Sequence, residues 1–310
     1  MRIWLLDKSK NTSTYENRRF CEEANKIGID FSFVAVDDFD LIVASDTHYD
    51  TPYDGQPGNG VDCLIPRLGS GATYFALSAL RHLEQGGIFT LNSSRSIEIG
   101  RDKLATIQCL AGNNIPIPKT MLAKFPFNVG IVDAEFAYPV IVKLVSGSRG
   151  RGIFLCENRG QMEDLGELIE ISSGSTVNVI IQEFVSSSRG KDIRVIVVGG
   201  RAIGAMLRIA REGMYKANFS RGGSVQNYEL NPAMEWLAVE SSKTIGLDIA
   251  GVDLLFDGDN YKVCEVNCAP GFEGFEHATG INVPMEIYQY IQVRLEGILS
   301  KEKNIEQKIY

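Results

Sequence analysis

The chain has no long apolar run, no cysteine pair of the CxxC kind and no excess of positive charge. Its apolar stretches all fall short of the roughly 20 residues that a membrane-spanning helix needs, so we expect no membrane partner. The six scattered cysteines are predicted to be reduced, and the three histidines lie far apart. A net charge of −8 argues against nucleic acid as a partner. A cytoplasmic location is the resulting expectation.

The first hundred residues alternate short apolar strands with helical patterns, which predicts an α/β unit with an open parallel sheet. Residues 46–60 are rich in Pro, Gly, Asp and Asn and are predicted to form an exposed loop. The predicted strands cover residues 3–6, 31–36, 41–44, 63–66 and 88–91, and the predicted helices cover residues 15–27 and 72–83.

Beyond residue 100 the pattern changes to strands and hairpins, which predicts an α+β arrangement. A helix over residues 101–111 is followed by Pro116 and Pro118, which favour extended chain. Further predicted strands cover residues 140–145, 153–156, 177–185, 193–198 and 202–210. Further predicted helices cover residues 163–172, 232–245 and 283–299, and residues 300–310 form a charged tail.

Two apolar segments joined by a turn, residues 251–267, carry oxygen donors where aliphatic residues are usual. Glu265 and Asn267 are two apart, so on a strand both side chains lie on one face. If residues 258–260 form a three-residue loop with Asn260 left-handed, Asp253 lies opposite Glu265. Buried carboxylates need a partner, and a hard divalent cation suits three oxygen donors. We therefore predict a metal site at Asp253, Glu265 and Asn267.

Residues 146–152 form a glycine-rich connection between two apolar strands, and Lys143 lies in the first of them. Exposed backbone N–H groups in such a loop can bind phosphates, although most connections of this kind are simply turns. Lys143 needs an anion, because an unpaired ammonium in a buried strand is costly. A phosphate or a nearby glutamate would satisfy it.

Two further segments have both a functional and an ordinary interpretation. Residues 182–185 run into a polar turn before Asp192, so their backbone edge could hold an adenine and Asp192 a ribose, or the segment is a hairpin with a solvated turn. A cationic stretch with an amide would stabilise transferring phosphate or oxyanion charge, or it is a solvated face. Its members are Arg208, Arg211, Lys216, Asn218 and Arg221.

Taken in order, these segments resemble the ATP-grasp superfamily and, within it, the RimK-like amino-acid ligases that add glutamate or related amino acids to a carboxyl group. The resemblance covers about three-quarters of the chain. It implies a pre-ATP-grasp domain at residues 1–100, a lid subdomain at 101–185 and a C-terminal antiparallel-sheet subdomain at 186–300, before the tail at 301–310. Its most specific segments are residues 101–103, 143–152, 182–194, 218–223, 251–253 and 265–271.

The resemblance also implies ATP and Mg²⁺ or Mn²⁺ as cofactors, and a role for each matching residue. The metal ligands would be Asp253, Glu265 and Asn267. The nucleotide would be bound by Lys103, Lys143, Gly147, Arg149, Gly150, Gly152, Gln182, Glu183, Phe184, Val185, Asp192, Lys216, Ala217 and Asn218. Arg208 and Arg221 would be catalytic, and Arg67 would bind a substrate carboxylate or form a structural ion pair. Lys216 departs from the family's pattern, which has arginine at the matching position.

The implied reaction is an ATP-dependent ligation of a carboxylate to an amine through an acylphosphate. The partners would be ATP, an amino acid and a carboxylate acceptor, which is a peptide, a protein tail or a small molecule. Self-association is implied as well. Two alternatives remain open at this stage: an ATP-binding regulatory module without catalysis, and a kinase-like phosphotransferase.

Overall fold

The computed structural model describes residues 1–10, 12–43, 60–69, 72–124, 128–145, 152–173, 178–212, 214 and 222–309. The described residues build three sheets, and the predicted combination of a parallel sheet with antiparallel ones is confirmed. Across the described ranges, no helix is both long enough and apolar enough to cross a bilayer.

The N-terminal sheet is parallel and has the strand order β2-β1-β3-β4. Four consecutive residues of β1, from Ile3 to Leu6, are buried, as expected for a parallel strand covered on both faces. The predicted strand at residues 41–44 was wrong where it is described, because residues 41–43 are irregular. The elements are β1 (Arg2–Asp7), α1 (Tyr15–Lys26), β2 (Asp30–Ala35), β3 (Cys63–Pro66), α2 (Tyr74–Gln85) and β4 (Phe89–Thr90).

Two short helices, α3 (Ser94–Arg101) and α4 (Lys103–Gly112), follow β4. α4 corresponds to the helix predicted over residues 101–111, and α3 was not predicted. The Ser93 hydroxyl caps α3 by accepting from the Ser96 N–H. Asp102 separates the helices and caps α4, since its carboxylate accepts from the N–H groups of Leu104 and Ala105. Lys103 is thereby placed on the first turn of α4.

The second sheet is antiparallel, with the order β5-β8-β6-β7. Its inner face packs on two helices around Val132, Val140 and Ile181. β5 and α5 were not predicted, because Thr120 follows a proline-rich stretch without a clear alternating pattern. The elements are β5 (Thr120–Ala123), α5 (Val129–Glu135), β6 (Val140–Leu144), β7 (Ile153–Cys156), α6 (Arg159–Ser173) and β8 (Val179–Glu183).

The third sheet is also antiparallel, with the order β11-β10-β9-β12-β13. α7 matches its predicted bounds, α8 and β11 were not predicted, and the last helix continues past the predicted end at residue 299. The elements are β9 (Lys191–Val198), β10 (Arg201–Ile209), β11 (Ser224–Tyr228), α7 (Pro232–Ile245), β12 (Ile249–Asp257), β13 (Asn260–Asn267), α8 (Glu273–Thr279) and α9 (Val283–Ile309).

The first and third sheets share continuous cores. One cluster joins Leu6 and Leu64 of the parallel sheet to Val195 of β9, and another joins Phe20 of α1 to Phe272 and to Tyr288 of α9. The Tyr288 hydroxyl donates to the Phe20 carbonyl at 2.7 Å. The segment that follows β13 is consequently held against the N-terminal unit. The domain limits at residues 100, 185 and 300 stay predictions.

Candidate active site

The hairpin of β12 and β13 brings the two predicted carboxylates together. Asp253 lies opposite Glu265 in the antiparallel ladder, as predicted. The predicted three-residue loop was wrong: Asp257 pairs with Asn260, so the loop contains only Gly258 and Asp259. Gly258 has a φ of +61°, and Asn260 is not left-handed. A positive φ at the first loop residue alone is typical of a type II′ turn.

The register agrees with the prediction because β13 contains a β-bulge. Leu254 pairs with Val263, whereas the adjacent Asp253 pairs with Glu265. Cys264 is therefore the extra residue of the bulge. In an unbroken ladder from a two-residue loop, Asp253 would face Cys264 instead. The extra residue of the bulge shifts the register by one, as the predicted third loop residue would have done.

Asp253 is only 5% exposed, and Arg194 holds it in a bidentate pair. The register places Arg194 of β9 opposite Asp253 of β12. The arginine Nε donates to Oδ1 at 2.7 Å and a terminal nitrogen donates to Oδ2 at 2.8 Å. Burial alone would raise the pKa of Asp253, but Arg194 and Arg208 outweigh it and hold this pKa at about 2. Asp253 is thus ionised at neutral pH.

Arg208, the predicted catalytic arginine, completes this network from the neighbouring strand β10. Its second terminal nitrogen lies 2.8 Å from Oδ2 of Asp253, and its Nε donates to Oδ1 of Asp192 at 2.5 Å. Burial acts to lower the pKa of Arg208, but the two carboxylates raise it above its usual value. Asp192 was predicted to bind a ribose. That role stays a prediction, and in this structure one of its oxygens accepts from Arg208.

The three predicted metal ligands offer a donor set that fits a hard cation. Among the described residues, Oδ1 of Asp253 accepts one hydrogen bond and Oδ2 accepts two, so Oδ1 has a further lone pair that a cation could use. The Asn267 amide nitrogen donates to the Gly251 carbonyl at 3.2 Å, so Oδ1 of Asn267 is the atom that could act as a ligand. Within the described ranges no three His, Cys, Asp or Glu residues form a ligand group, and the predicted set consists of two carboxylates and one amide.

Lys143 of β6 is directed to the site by Gln182 of β8. Its Nζ donates to Oε1 of Gln182 at 2.6 Å and lies 3.6 Å from Sγ of Cys264. Gln182 is 3% exposed and donates its own amide to the Thr120 hydroxyl at 2.9 Å, which fixes the orientation of the amide. In the described part of the chain Lys143 forms no ion pair. Of the two predicted partners, a glutamate is not observed in that part, where Gln182 and Cys264 are the partners of Lys143, and the phosphate contact stays a prediction.

Lys103 approaches the same region from the start of α4. Its Nζ donates to the Val145 carbonyl at 3.3 Å. Burial lowers the pKa of Lys103, Glu265 opposes that effect, and the neighbouring charge of Lys143 adds to it. Two like charges are thus held near one carboxylate, an arrangement that a polyphosphate would stabilise.

The segment predicted to hold adenine, residues 182–185, begins with the last two residues of β8 and continues past its end. The Glu183 carboxylate accepts from Nζ of Lys262 at 2.9 Å and from the Lys119 N–H at 3.0 Å. Phe184 is half-buried with Arg189 stacked over its ring, and Val185 is buried. Lys262 therefore links the third sheet to the end of the second, beside the predicted nucleotide site.

The glycine-rich connection is described only from Gly152 onward. Gly152 has a φ of +68°, and a Cβ there would lie 2.9 Å from the Leu144 side chain, so this position requires glycine. The remaining predicted loop and cationic residues lie outside the described ranges: Gly147, Arg149, Gly150, Lys216, Ala217, Asn218 and Arg221.

Arg67, the predicted substrate-carboxylate ligand, follows β3. Its guanidinium donates to the Pro270 carbonyl at 2.9 Å and lies 5.9 Å from the centroid of the Phe272 ring. Burial lowers its pKa, while Glu16 and Asp7 raise it. No ion pair of Arg67 occurs among the described residues, so a structural ion pair is not observed there.

Arg194 is the main functional candidate that the sequence analysis left without a role. A signal for it exists: Asp192 and Arg194 are two apart on one strand, so both side chains lie on the same face of the sheet. The pairing of β9 with β12 could not be read from the sequence, and only that pairing brings Arg194 to Asp253.

A parallel N-terminal sheet followed by two antiparallel sheets, with the two predicted lysines near one and the predicted oxygen ligands on the other, is the arrangement of an ATP-grasp ligase. The chain belongs to the RimK-like ATP-grasp family. The model of the RimK-like ATP-grasp domain matches residues 100–291, and that of the RimK PreATP-grasp domain matches residues 1–97. The predicted family, fold class and type of enzyme, an ATP-dependent ligase, are confirmed.

Curated relatives match along nearly the whole chain. A protein of Legionella pneumophila (strain Corby) named "Probable alpha-L-glutamate ligase" is 33% identical over 307 residues, with 98% of this chain and 99% of the relative covered. A protein of Hahella chejuensis named "Probable alpha-L-glutamate ligase 1" is 35% identical, with 94% and 95% covered.

Solved structures support the fold at lower identity. The ATP-grasp ligase PsnB complexed with a minimal precursor superposes with a TM-score of 0.74 at 18% identity, covering 94% of this chain and 97% of PsnB. The D-alanine–D-alanine ligase of Bacillus anthracis complexed with ATP gives 0.68 at 15% identity, with 97% and 99% covered.

Proposed function

We propose that this chain uses ATP to join glutamate, as the amine, to the carboxyl group of an acceptor. The observation that carries the proposal is the arginine-held Asp253 beside Glu265 and Asn267, with Lys103 and Lys143 nearby. This arrangement combines a donor set for a hard cation with cations for phosphate. The glutamate ligase names of the relatives support the choice of amino acid.

The residues of the chain divide the work of such a reaction. A carboxylate cannot lose oxide at neutral pH, so it first takes the γ-phosphoryl group of ATP and forms an acylphosphate, which the amine then attacks with release of phosphate. Lys143 and Lys103 would hold the phosphates. Bound Mg²⁺ would neutralise phosphate charge, and Asp253, Glu265 and Asn267 would hold it. Mn²⁺ is the alternative metal, since it accepts the same oxygen ligands.

Arg208 has a second role in the proposal, because it lies in the same network as the metal ligand. A fixed guanidinium stabilises charge that develops on the acylphosphate and on the tetrahedral intermediate. Arg221 would assist it. The nucleotide would be contacted by Lys216, Ala217 and Asn218 together with Gly147, Arg149, Gly150 and Gly152. Arg67 would bind a substrate carboxylate, and Val185 with its neighbours would hold the adenine.

Release of ADP in the presence of MgATP, an acceptor pool and single amino acids tests the reaction. ADP release that depends on glutamate, with a product 129 Da heavier than the acceptor, about one glutamyl residue, is the expected result. ADP with a stable phosphorylated product would instead identify a phosphotransferase. Tight ATP binding without turnover would identify a regulatory module.

Glu265→Gln tests the metal ligands directly. The amide keeps the shape but removes the charge, so we expect turnover to fall by about 100-fold or more, given that even outer-shell changes at metal sites cost about 10–100-fold. The matched control is Asp259→Asn, which removes an exposed charge from the loop of the same hairpin. Near-normal turnover of Glu265→Gln, measured as ADP release, would contradict the metal assignment.

A further inference from the structure

Asn92 is a buried polar residue of the N-terminal unit that no part of the mechanism above uses. It is 1% exposed and follows β4. Its amide nitrogen donates to the Ile249 carbonyl at 2.7 Å and to the Cys268 carbonyl at 2.9 Å. Its amide oxygen accepts from the Ile249 N–H at 2.8 Å. One side chain therefore binds three backbone groups of the third sheet and of the segment after it.

These backbone groups flank the metal-ligand hairpin. The ladder between β12 and β13 ends at the pair of Gly251 and Asn267. Ile249 lies two residues before Gly251, and Cys268 directly follows Asn267. The Asn92 amide thus bridges β12 and the segment after β13 just past their last backbone pair, where the next pair of the ladder would lie.

The position of Asn267 depends on both strands of the hairpin at the end formed by Gly251 and Asn267. Its amide nitrogen is bound to the Gly251 carbonyl, so a shift of Gly251 against Asn267 would turn the ligand oxygen away. The packing here tolerates little movement, because a Cβ on Gly251 would lie 2.7 Å from Cβ of Pro270. Cys268 is held from the N-terminal unit as well, since its thiol donates to the Leu68 carbonyl at 3.5 Å.

We infer that Asn92 is a positioning residue that fixes the end of the β12–β13 hairpin and so sets the metal-ligand geometry of Asn267. The inference rests on the proposed function in that Asp253, Glu265 and Asn267 are taken as the metal ligands. The N-terminal unit then contributes to metal binding without supplying a ligand. Partners behind a ligand commonly determine metal affinity in this way.

The test compares Mn²⁺ binding between the unmodified chain and full-length variants. Electron paramagnetic resonance measures the binding in the presence of ADP. Asn92→Asp has the same shape but places a carboxylate against two carbonyl groups. Asn92→Ser is smaller and keeps one hydroxyl donor, so it serves where the first variant folds poorly. We expect the Mn²⁺ dissociation constant to rise about tenfold or more in either variant.

Tyr288→Phe is the matched control, because it removes one buried hydrogen bond to a backbone carbonyl, that of Phe20, in which no group of the β12–β13 hairpin takes part. If Asn92 has a purely structural role, Asn92→Asp and Asn92→Ser both melt at a lower temperature, and neither changes the Mn²⁺ dissociation constant. That result would overturn the inference. Failure of the proposed function would look different. The Glu265→Gln variant would then bind Mn²⁺ as tightly as the unmodified chain does, or ADP release would not depend on an amine.

Discussion

Asp253 has two guanidinium partners, and this excess of positive charge explains how a deeply buried carboxylate stays ionised. The bidentate pair with Arg194 supplies two of its hydrogen bonds, and Arg208 supplies the third. Arg208 also pairs with Asp192, whereas Arg194 uses both donors on Asp253. Arg194 is therefore the residue whose loss should affect Asp253 most directly.

Arg194→Leu should destabilise the fold by about 3 kcal/mol, because two charge-assisted hydrogen bonds to a buried carboxylate are lost while Arg208 still pairs with it. Chemical denaturation measures this change, and ADP release should fall as well. Arg194→Lys keeps the charge without the fork and should lie between Arg194→Leu and the unmodified chain. Arg201→Leu is the control: this exposed arginine of β10 pairs with Glu286 at the surface and should contribute about 1 kcal/mol or less. Equal losses in Arg194→Leu and Arg201→Leu would contradict the network.

At the residue scale, the sequence could predict the oxygen donors of the candidate site but not the residues that hold them in place. Asp253, Glu265 and Asn267 could be predicted because oxygen donors in apolar strands violate the usual pattern. For Arg194 the only signal was its spacing of two residues from Asp192, and Asn92 gave none. Their partners lie far along the chain, 59 and 157 residues away. Contacts of that range depend on the sheet order, which local patterns do not determine.

At the scale of elements, the loop of the β12–β13 hairpin and the bulge at Cys264 together set the register of the predicted metal ligands. Gly258 has a φ of +61°, and a Cβ there would meet nothing within 4 Å. Gly258→Ala therefore adds backbone strain without a clash, and it should cost about 1–2 kcal/mol. Gly112→Ala is the matched control, because that glycine of α4 has no positive φ and equally open surroundings. It should be neutral or stabilise by up to about 1 kcal/mol. Equal unfolding free energies for the two variants, from chemical denaturation, would contradict the turn assignment.

Most elements could be predicted from periodicity, and the failures share a physical cause. α7 and β7 matched their predicted bounds, since apolar patterning and end signals agree there. β5, β11, α5 and α8 were missed because short elements depend on packing rather than on local preference. The bulge at Cys264 leaves no mark in composition either, yet it provides the register that a longer loop was expected to provide.

At the scale of the whole molecule, the candidate site lies where the second and third sheets meet. Lys143 belongs to the second sheet, and the predicted metal ligands belong to the third. Lys143 reaches Cys264 at 3.6 Å, and Lys262 reaches Glu183 at 2.9 Å. A nucleotide held by both sheets would add contacts that exist only in the folded chain, so ligand binding and global stability should be coupled.

MgADP should therefore raise the free energy of unfolding by about 2.7 kcal/mol at a concentration 100 times its dissociation constant, because it binds the folded chain alone. Thermal and chemical denaturation at several MgADP concentrations measure the increase. Lys143→Met removes a phosphate contact and should show a smaller increase at the same concentration. Lys119→Met is the control, since its ammonium pairs with Glu135 at the surface of the second sheet. An equal increase in Lys143→Met and the unmodified chain would mean that the nucleotide does not use Lys143, and the phosphate contact proposed for β6 would then be wrong.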